Sequence, residues 1–518
     1  MAAKKSRLGF VIAGLLLGIL VSSMDNTIVA TAMGTIVSEL GGLDKFVWVT
    51  SAYMVTEIAG MPIFGKLSDM YGRKRFFLFG LIVFLIGSTL CGTAQSIVQL
   101  SIYRAIQGIG SGALIPIAFT IMFDVVPADQ RGKIGGLFGA VFGLSSIFGP
   151  LLGAYLTDYI SWHWIFYVNV PLGLIALALV ACFYRETIRH AKQKIDWLGV
   201  MTLVPAIVCL MFALELGGHQ FSWDSDVIIG LLAAFAILFL VFLAVESRAE
   251  EPIVSYQMFR KRLFAISNLV AFFSGASFIA ATVYLPIFVQ GVMGGTAAHS
   301  GMVLLPMMLS SVVSSQLGAV LSSKLGYRRV MVAFSLIFLS GILLLGTLSS
   351  GTSRAVVTLY MVVTGLGVGA SFSVLGMAAI HHFDATQRGS ANSTLSFLRT
   401  LGMTLGITVF GVIQRNLFGG RLEDALAGSG QSPVNAEMLS DPHILLSPAT
   451  CASIPTPVLE QVTAALSDSI AHTFLWALIP AGLAFVFALL MGSERLEAAG
   501  RTRAAGDPSA GPLTAKDI

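Results

Sequence analysis

The sequence predicts an all-α polytopic membrane protein, and three observations lead to this class. Of its 518 residues, 56% are hydrophobic and only 11% are charged, whereas a soluble protein carries about 25% charged residues. The chain divides into apolar stretches, each long enough to cross about 30 Å of hydrocarbon at about 1.5 Å per residue. Lys and Arg concentrate in alternate connections between these stretches.

Fourteen transmembrane helices are predicted. The first apolar run is too long for a signal peptide and lacks a clear cleavage site, so it is interpreted as an uncleaved first helix. The predicted spans are 8–36, 46–66, 75–94, 98–122, 133–157, 163–184, 195–216, 226–246, 263–291, 299–323, 329–350, 353–380, 388–416 and 466–493.

The distribution of basic residues predicts the orientation. Connections 95–97 and 217–225 contain no Lys or Arg, so the basic connections mark the cytoplasmic side. An even number of spans then places both termini in the cytoplasm. The net charge of +4 is small and indicates no nucleic-acid partner. The basic connections are 66–75, 123–133, 185–194, 247–262, 324–329 and 381–388.

Basic turns recur along the chain and indicate an internal repeat. The stretch 69–75 corresponds to 323–329 at an offset of 254, and the stretch 128–132 corresponds to 385–389 at an offset of 257. Nearly equal offsets favour two related halves of six helices, an arrangement found in transporters. The repeat is degenerate because Ser323 replaces Asp69, and a chance likeness between basic turns is the alternative.

The most informative turn lies between the second and third spans. Gly65 and Gly72 allow close approach and a sharp turn, and Asp69 can meet the N-terminus of a neighbouring helix. The run Gly-Lys-Leu-Ser-Asp-Met-Tyr-Gly-Arg-Lys-Arg, which ends with Arg73, Lys74 and Arg75, resembles the signature G-x-L-x-D-x-x-G-R-[KR]-[KR] of the major facilitator superfamily. The resemblance implies that this loop acts as a conformational switch.

The span count resembles that of the fourteen-helix drug:proton antiporter branch, the QacA-like and EmrB-like multidrug exporters. It implies two pseudo-symmetric six-helix bundles with two extra central helices. We expect an N-terminal bundle at 1–190, the extra helices at 191–250, a C-terminal bundle at 251–493 with an external loop at 417–465, and a disordered cytoplasmic tail at 494–518.

Asp25 and Arg104 are ionisable residues of the first half that lie inside predicted spans. A charged side chain in hydrocarbon costs about 2.5–3.5 kcal/mol on insertion scales, so it usually faces a cavity or a partner. Asp25 is about 25 Å from the inner end of its span, and Arg104 is about 9 Å from the outer end of its own. Both therefore lie in the outer half of the bilayer, which makes Asp25 a candidate partner for Arg104.

The surroundings of both residues resemble family motifs. The run from Met24 to Ala30 resembles L-D-x-T-I-V-N, with departures at its two ends, and the run from Arg104 through Gln107 to Gly110 resembles R-x-x-Q-G-x-G. The resemblance implies that Asp25 and Arg104 couple transport to protons. A static pair that holds the bundle together is the alternative.

Two further features of the first half bear on transport. Glu57, midway along the second span, is a candidate second proton site or a contact for a cationic substrate, and a structural acid is the equal alternative. Gly136, Gly149, Pro150 and Gly153 on the fifth span resemble the motif G-x8-G-x3-G-P-x2-G-G, which is associated with exporters. Their small size allows close helix contact.

The second half offers a candidate substrate cavity. Arg399 lies about 16 Å into its span, where an arginine is a site hypothesis by default. Aromatic side chains can line an adaptable pocket, although packing or contact with lipid is the commoner role for any one of them. The cavity is predicted from Glu57, Gln107, Phe272, Phe273, Tyr284, Phe372 and Arg399.

The leading hypothesis is a proton-coupled exporter of hydrophobic small molecules, with cationic ones as a candidate subset, that confers antibiotic resistance from the cell membrane. Its expected partners are the substrate, protons and membrane lipids, and the chain is expected to be monomeric. Export of a lipid or glycolipid is the alternative, and a receptor or scaffold is disfavoured by the intramembrane charges. No P-loop, catalytic residue, metal cluster or cofactor is expected, so the chain is not predicted to be an enzyme.

Overall fold

A computed structural model describes the chain as an assembly of helices. The described residues are 2–41, 47–127, 130–186, 196–218, 220–249, 252–253, 256–294, 297–384, 386–427 and 456–495. The helices, in chain order, are α1 Ala2–Leu40, α2 Val47–Tyr71, α3 Arg73–Cys91, α4 Ile97–Val125, α5 Arg131–Tyr159, α6 Trp164–Tyr167, α7 Asn169–Phe183, α8 Trp197–Leu216, α9 Asp226–Glu246, α10 Tyr256–Phe259, α11 Arg262–Gly291, α12 Ala297–Leu325, α13 Tyr327–Leu345, α14 Arg354–Ile380, α15 Arg388–Ala427 and α16 Thr456–Leu489.

Every predicted span corresponds to a helix or to a helix pair. The predicted span 163–184 is divided into α6 and α7, and Pro171 lies in the first turn of α7, where its missing N–H is tolerated. Twelve helical segments within the described residues are long and apolar enough to cross a membrane. The helices α2 and α5, of 25 and 29 residues, are not among these twelve, so the count of fourteen spans stays a prediction.

The predicted external loop 417–465 is helical at both ends, and its external position stays a prediction. Helix α15 continues to Ala427, and helix α16 begins at Thr456. Phe418, Leu422 and Val462 are fully buried in the core of the second half, and this burial extends both helices beyond their most apolar stretches. The middle of the predicted loop, 428–455, lies outside the described residues.

The predicted tail boundary at residue 494 is also too early. The carbonyl oxygen of Glu494 accepts a hydrogen bond of 3.0 Å from the backbone nitrogen of Tyr327 at the start of α13. Glu494 and its neighbour Arg495 therefore belong to the packed structure. The rest of the predicted tail, 496–518, lies outside the described residues.

Helix packing repeats between the two halves of the chain. Helix α4 packs on α2 and α3, and α14 packs in the same way on α12 and α13. Helices α3 and α13 are both 19 residues long, and their first residues are 254 apart (327 − 73). The offset inferred from the basic turns therefore also describes the helix boundaries.

Individual contacts repeat at the same offsets. A Cβ atom on Gly110 would overlap the backbone nitrogen of Phe84, and a Cβ atom on Gly367 would overlap that of Phe338. Phe84 of α3 and Phe338 of α13 are 254 residues apart (338 − 84), and Gly110 of α4 and Gly367 of α14 are 257 residues apart (367 − 110). Glycine is required at both positions because the two backbones approach too closely for any side chain.

The helices α8 and α9 pack on each other, and α8 also contacts α2 and α15. Val55 and Ile58 of α2, Ile207 of α8 and Phe242 of α9 are buried in one apolar cluster, against which Phe397 of α15 packs. The α8–α9 pair thus covers the seam between α2 in the first half and α15 in the second.

The close crossing of α3 and α4 predicts the effect of a side chain at Gly110. Gly110→Ala forces the helices apart and should lower the free energy of unfolding by about 1–3 kcal/mol, the usual range for overpacking. The matched control is Gly230→Ala on α9, where no atom lies within 4 Å of the added carbon. Thermal unfolding in detergent measures both variants, and equal melting temperatures would contradict the packing account.

Candidate functional site

A buried ion pair lies at the centre of the first half. Asp25 of α1 and Arg104 of α4 both have no exposed surface. The Nη1 atom of Arg104 donates to the Oδ2 atom of Asp25. The pairing that equal depth suggested is therefore present.

Neutral polar side chains complete the coordination of this pair. The Oδ1 atom of Asp25 accepts hydrogen bonds from Gln107 Nε2 at 2.8 Å and from Asn169 Nδ2 at 2.9 Å. Arg104 Nη1 also donates to Gln107 Oε1 at 2.8 Å, and its Nε donates to the backbone oxygen of Val49 at 3.3 Å. Four helices (α1, α2, α4 and α7) thus hold one charge pair.

Glu57 is linked to the same network. The Arg104 guanidinium lies 4.0 Å from the ring centroid of Tyr53. The Tyr53 hydroxyl donates to Ser111 Oγ at 2.8 Å. The Ser111 hydroxyl in turn donates to Glu57 Oε1 at 2.8 Å. Glu57 is buried, with 7% of its surface exposed. The two acids proposed for proton coupling therefore belong to one connected group of side chains.

The glycines of α5 set the position of α1 beside this network. A Cβ atom on Gly149 would overlap Thr27 Oγ1, and one on Gly153 would overlap Thr31 Oγ1. Ser145 stands where the motif has its second glycine. Its backbone oxygen accepts a hydrogen bond of 3.0 Å from Thr27 Oγ1, so this position still contacts α1. Pro150 lies inside the continuous α5, and the contacts of Gly136 fall outside the described part of the chain.

The predicted switch loop joins the two halves on one side of the bundle, here called the basic face, which carries Arg73, Lys74, Arg328 and Arg388. Asp69 Oδ1 accepts from the backbone nitrogen of Gly389 at 2.9 Å, and Oδ2 accepts from that of Ser390 at 2.7 Å. These two amides belong to the first turn of α15. The carboxylate therefore lies at a helix N-terminus, where a negative charge is favoured.

The other residues of this loop hold the same junction. A Cβ atom on Gly65 would overlap Ser393 of α15. Arg73 pairs with Asp69, at 2.9 Å, and also with Asp124 at the end of α4. Gly72 has a φ of 116°, a conformation that favours glycine, whereas Arg75 is exposed. The basic face is thus closed between the halves.

The predicted second-half cavity residues are only partly brought together. Arg399 lies over the ring of Phe372, 4.8 Å from its centroid, and donates to the backbone oxygen of Ser371 at 3.1 Å. Tyr284 is buried near Gly411 of α15. Phe273 packs away from Arg399, against Phe487 of α16, and Phe272 contacts Phe273 edge to face.

Sequence reasoning missed several members of the network. Its members Asn169, Tyr53 and Ser111 are neutral. Asp124, which pairs with Arg73 at the basic face, was also missed, because it lies at a helix end where acids are common. An asparagine that follows an apolar run near the start of a span carries a signal, because polar groups inside membranes usually find partners. The hydroxyl groups of Tyr53 and Ser111 carry no such sequence signal.

A sealed charge network inside a bundle of apolar helices, with two halves joined at a basic face, defines an integral membrane transport protein. A family model for the Major Facilitator Superfamily matches residues 15–407. The chain belongs to this superfamily and is a transporter rather than an enzyme.

Curated relatives match over almost the whole chain. Multidrug resistance protein 3 of Bacillus subtilis is 54% identical over 497 residues, which cover 96% of this chain and 97% of that protein. The multidrug transporter protein MdtP of the same organism is 35% identical over 514 residues, covering 95% of this chain and 94% of that protein.

Solved structures show the same fold at low identity. The human organic anion transporter MFSD10 has a TM-score of 0.57 and 16% identity, and the match covers 92% of this chain and 99% of that one. At this identity the likeness supports the major facilitator fold alone.

The junction at Asp69 predicts how the basic face opens. Asp69→Ala removes two charge-assisted hydrogen bonds to α15, each worth about 1.5–3 kcal/mol. A cysteine introduced at the buried Ser393 should then react with a maleimide about tenfold faster or more. The control is Asp384→Ala, which removes an exposed acid from the same face. Equal labelling of Ser393→Cys with and without Asp69→Ala would contradict this role.

Proposed function

We propose that this protein exports hydrophobic small molecules, cationic ones among them, in exchange for protons. The proposal assigns proton binding to Asp25, with Arg104 as its counter-ion and Glu57 as a second acid of the same network. Transport follows alternating access, in which the two halves rock about a central cavity. The high identity to proteins named as multidrug transporters supports drug efflux.

The sealed Asp25–Arg104 pair is the observation that carries the proposal. A proton that binds to Asp25 removes the negative charge, and Arg104 is left as a buried cation without its main partner, which is strongly unfavourable. Protonation therefore favours any rearrangement that gives Arg104 another environment. This dependence links the charge of one carboxyl group to the conformation of four helices.

The same proposal includes the finer organisation of the chain. It has fourteen spans, with α8 and α9 as the extra pair between an N-terminal bundle at 1–190 and a C-terminal bundle at 251–493. The basic face and both termini are cytoplasmic, by the positive-inside rule, and the chain works as a monomer. Among the predicted cavity residues, Gln107, Tyr284, Phe372 and Arg399 are the proposed substrate contacts.

Export of a lipid or glycolipid is not favoured. Its support in the sequence was the scarcity of acids in the second-half spans and the long segment 417–465. Both ends of that segment are helical. One of the curated relatives reported above is named for multidrug resistance and the other for multidrug transport.

Proton coupling predicts a specific defect for Asp25→Asn. In proteoliposomes with an acidic interior, the wild-type protein should accumulate ethidium, used as a lipophilic cationic probe, and should release protons from the lumen as it does so. Asp25→Asn should lose accumulation by about tenfold or more, because a neutral amide cannot exchange a proton.

The matched control is Asp158→Asn, an exposed acid at the end of α5, which should behave as wild type. Accumulation by Asp25→Asn at the wild-type rate would remove Asp25 from the mechanism. A wild-type protein that moves ethidium equally with and without the gradient would exclude antiport.

A further inference from the structure

A cavity of about 380 Å³ opens on the basic face, far from the Asp25 network. It lies between the start of α13 and the chain that follows α16. Three guanidinium groups from these two places line it: Arg328 and Arg329 of α13, and Arg495. Ser493 adds a hydroxyl group, and Leu489 contributes to the apolar part of the wall.

The equivalent place in the first half is filled by the chain itself. At the start of α3, the backbone nitrogen of Arg73 donates to the carboxylate of Glu186 at 2.7 Å. Lys74 Nζ donates to the backbone oxygens of Ala181 and Tyr184, at 2.6 Å and 2.7 Å. An anion and two carbonyl groups from the last turn of α7 and the segment after it therefore satisfy this helix start and its cation.

The second half repeats the cations without the internal anion. Arg328 takes the place of Lys74, because the two residues are separated by the repeat offset of 254 (328 − 74). Among the described residues, the structure shows no ion pair for Arg328, Arg329 or Arg495. Glu494, the acid that precedes Arg495 in the chain, shares a hydrogen bond of 3.3 Å with His382. Three positive charges therefore converge on an open cavity.

The rim of this cavity indicates the kind of anion. Leu325 and Leu489 are 43% and 37% exposed, and they lie at the membrane ends of α12 and α16. Exposed leucines directly beside arginines match a molecule that is anionic at one end and apolar at the other. A basic pocket between membrane helices is a known setting for phospholipid headgroups, and arginine suits phosphate oxygens because it can donate two parallel hydrogen bonds.

We propose that this cavity binds the phosphate headgroup of an anionic membrane phospholipid, with Arg328, Arg329 and Arg495 as the ligands. The exposed leucines then contact the upper part of its acyl chains. Apart from that of Tyr327, which donates to the carbonyl oxygen of Glu494, the first-turn amides of α13 add to the favourable field, since a helix N-terminus attracts anions. The site goes beyond transport and does not depend on the proposed function.

The test is lipid binding to the full-length protein. Native mass spectrometry of detergent-purified protein titrated with phosphatidylglycerol should show one lipid retained more tightly than the rest. Each arginine near a membrane surface contributes about fivefold in affinity, so Arg328→Gln, Arg329→Gln and Arg495→Gln combined should weaken this binding about a hundredfold. The single variant Arg495→Gln, outside the helices, should weaken it about fivefold.

Three comparisons decide the outcome. Neutralising Arg185, Arg248 and Arg260, exposed arginines outside the cavity, should leave the tight phosphatidylglycerol in place. Phosphatidylcholine should not replace it, and inorganic phosphate at millimolar concentration should not displace it. An equal loss in the control triple variant, no loss in the cavity variants, or displacement by inorganic phosphate would each overturn the proposal.

Discussion

An aspartate and an arginine sealed inside an apolar bundle depend on each other, and the first half of this protein is built around that dependence. Asp25 and Arg104 are fully buried. The side-chain amides of Gln107 and Asn169 both donate hydrogen bonds to the Oδ1 atom of Asp25. Desolvating two charges is costly, and a pair of this kind is stable only when further hydrogen bonds complete it. The arrangement therefore ties four helices to one charge pair, and any change in the charge of Asp25 acts on all of them.

Comparison of the two halves separates packing from chemistry. The glycine contacts that set the helix crossings repeat, as in the pairs Phe84–Gly110 and Phe338–Gly367. The charges do not: Met361 stands where Arg104 would be (361 − 104 = 257), and Ser311 stands where Glu57 would be (311 − 57 = 254). One half thus keeps the scaffold and carries the ionisable network, while the other keeps the scaffold with neutral residues at these two positions. The basic turns divide in a similar way, because the first is satisfied by Glu186 and the second faces an open cavity.

Sequence patterns predicted most of this architecture because span length, loop charge and glycine spacing are local properties. The depth of Asp25 and Arg104 was enough to suggest their pairing. The partners of Asp69 could not be found in this way, because they are the backbone amides of Gly389 and Ser390, and an amide has no sequence signature. Likewise, α15 continues past the predicted end of its span, because burial of Phe418 and Leu422 extends a helix whose composition has turned polar. Tertiary contacts decided each of these cases.

The central claim is that Asp25 binds and releases a proton while it remains inside the bundle. Infrared difference spectroscopy on purified protein tests it directly, by comparing the carboxylic-acid C=O band of the wild type with that of Asp25→Asn as the pH is lowered. The account predicts a band that grows in acid in the wild type and in Asp158→Asn, and that is diminished in Asp25→Asn. Identical spectra for the wild type and Asp25→Asn at every pH would show that this carboxyl group does not exchange protons and would contradict the account.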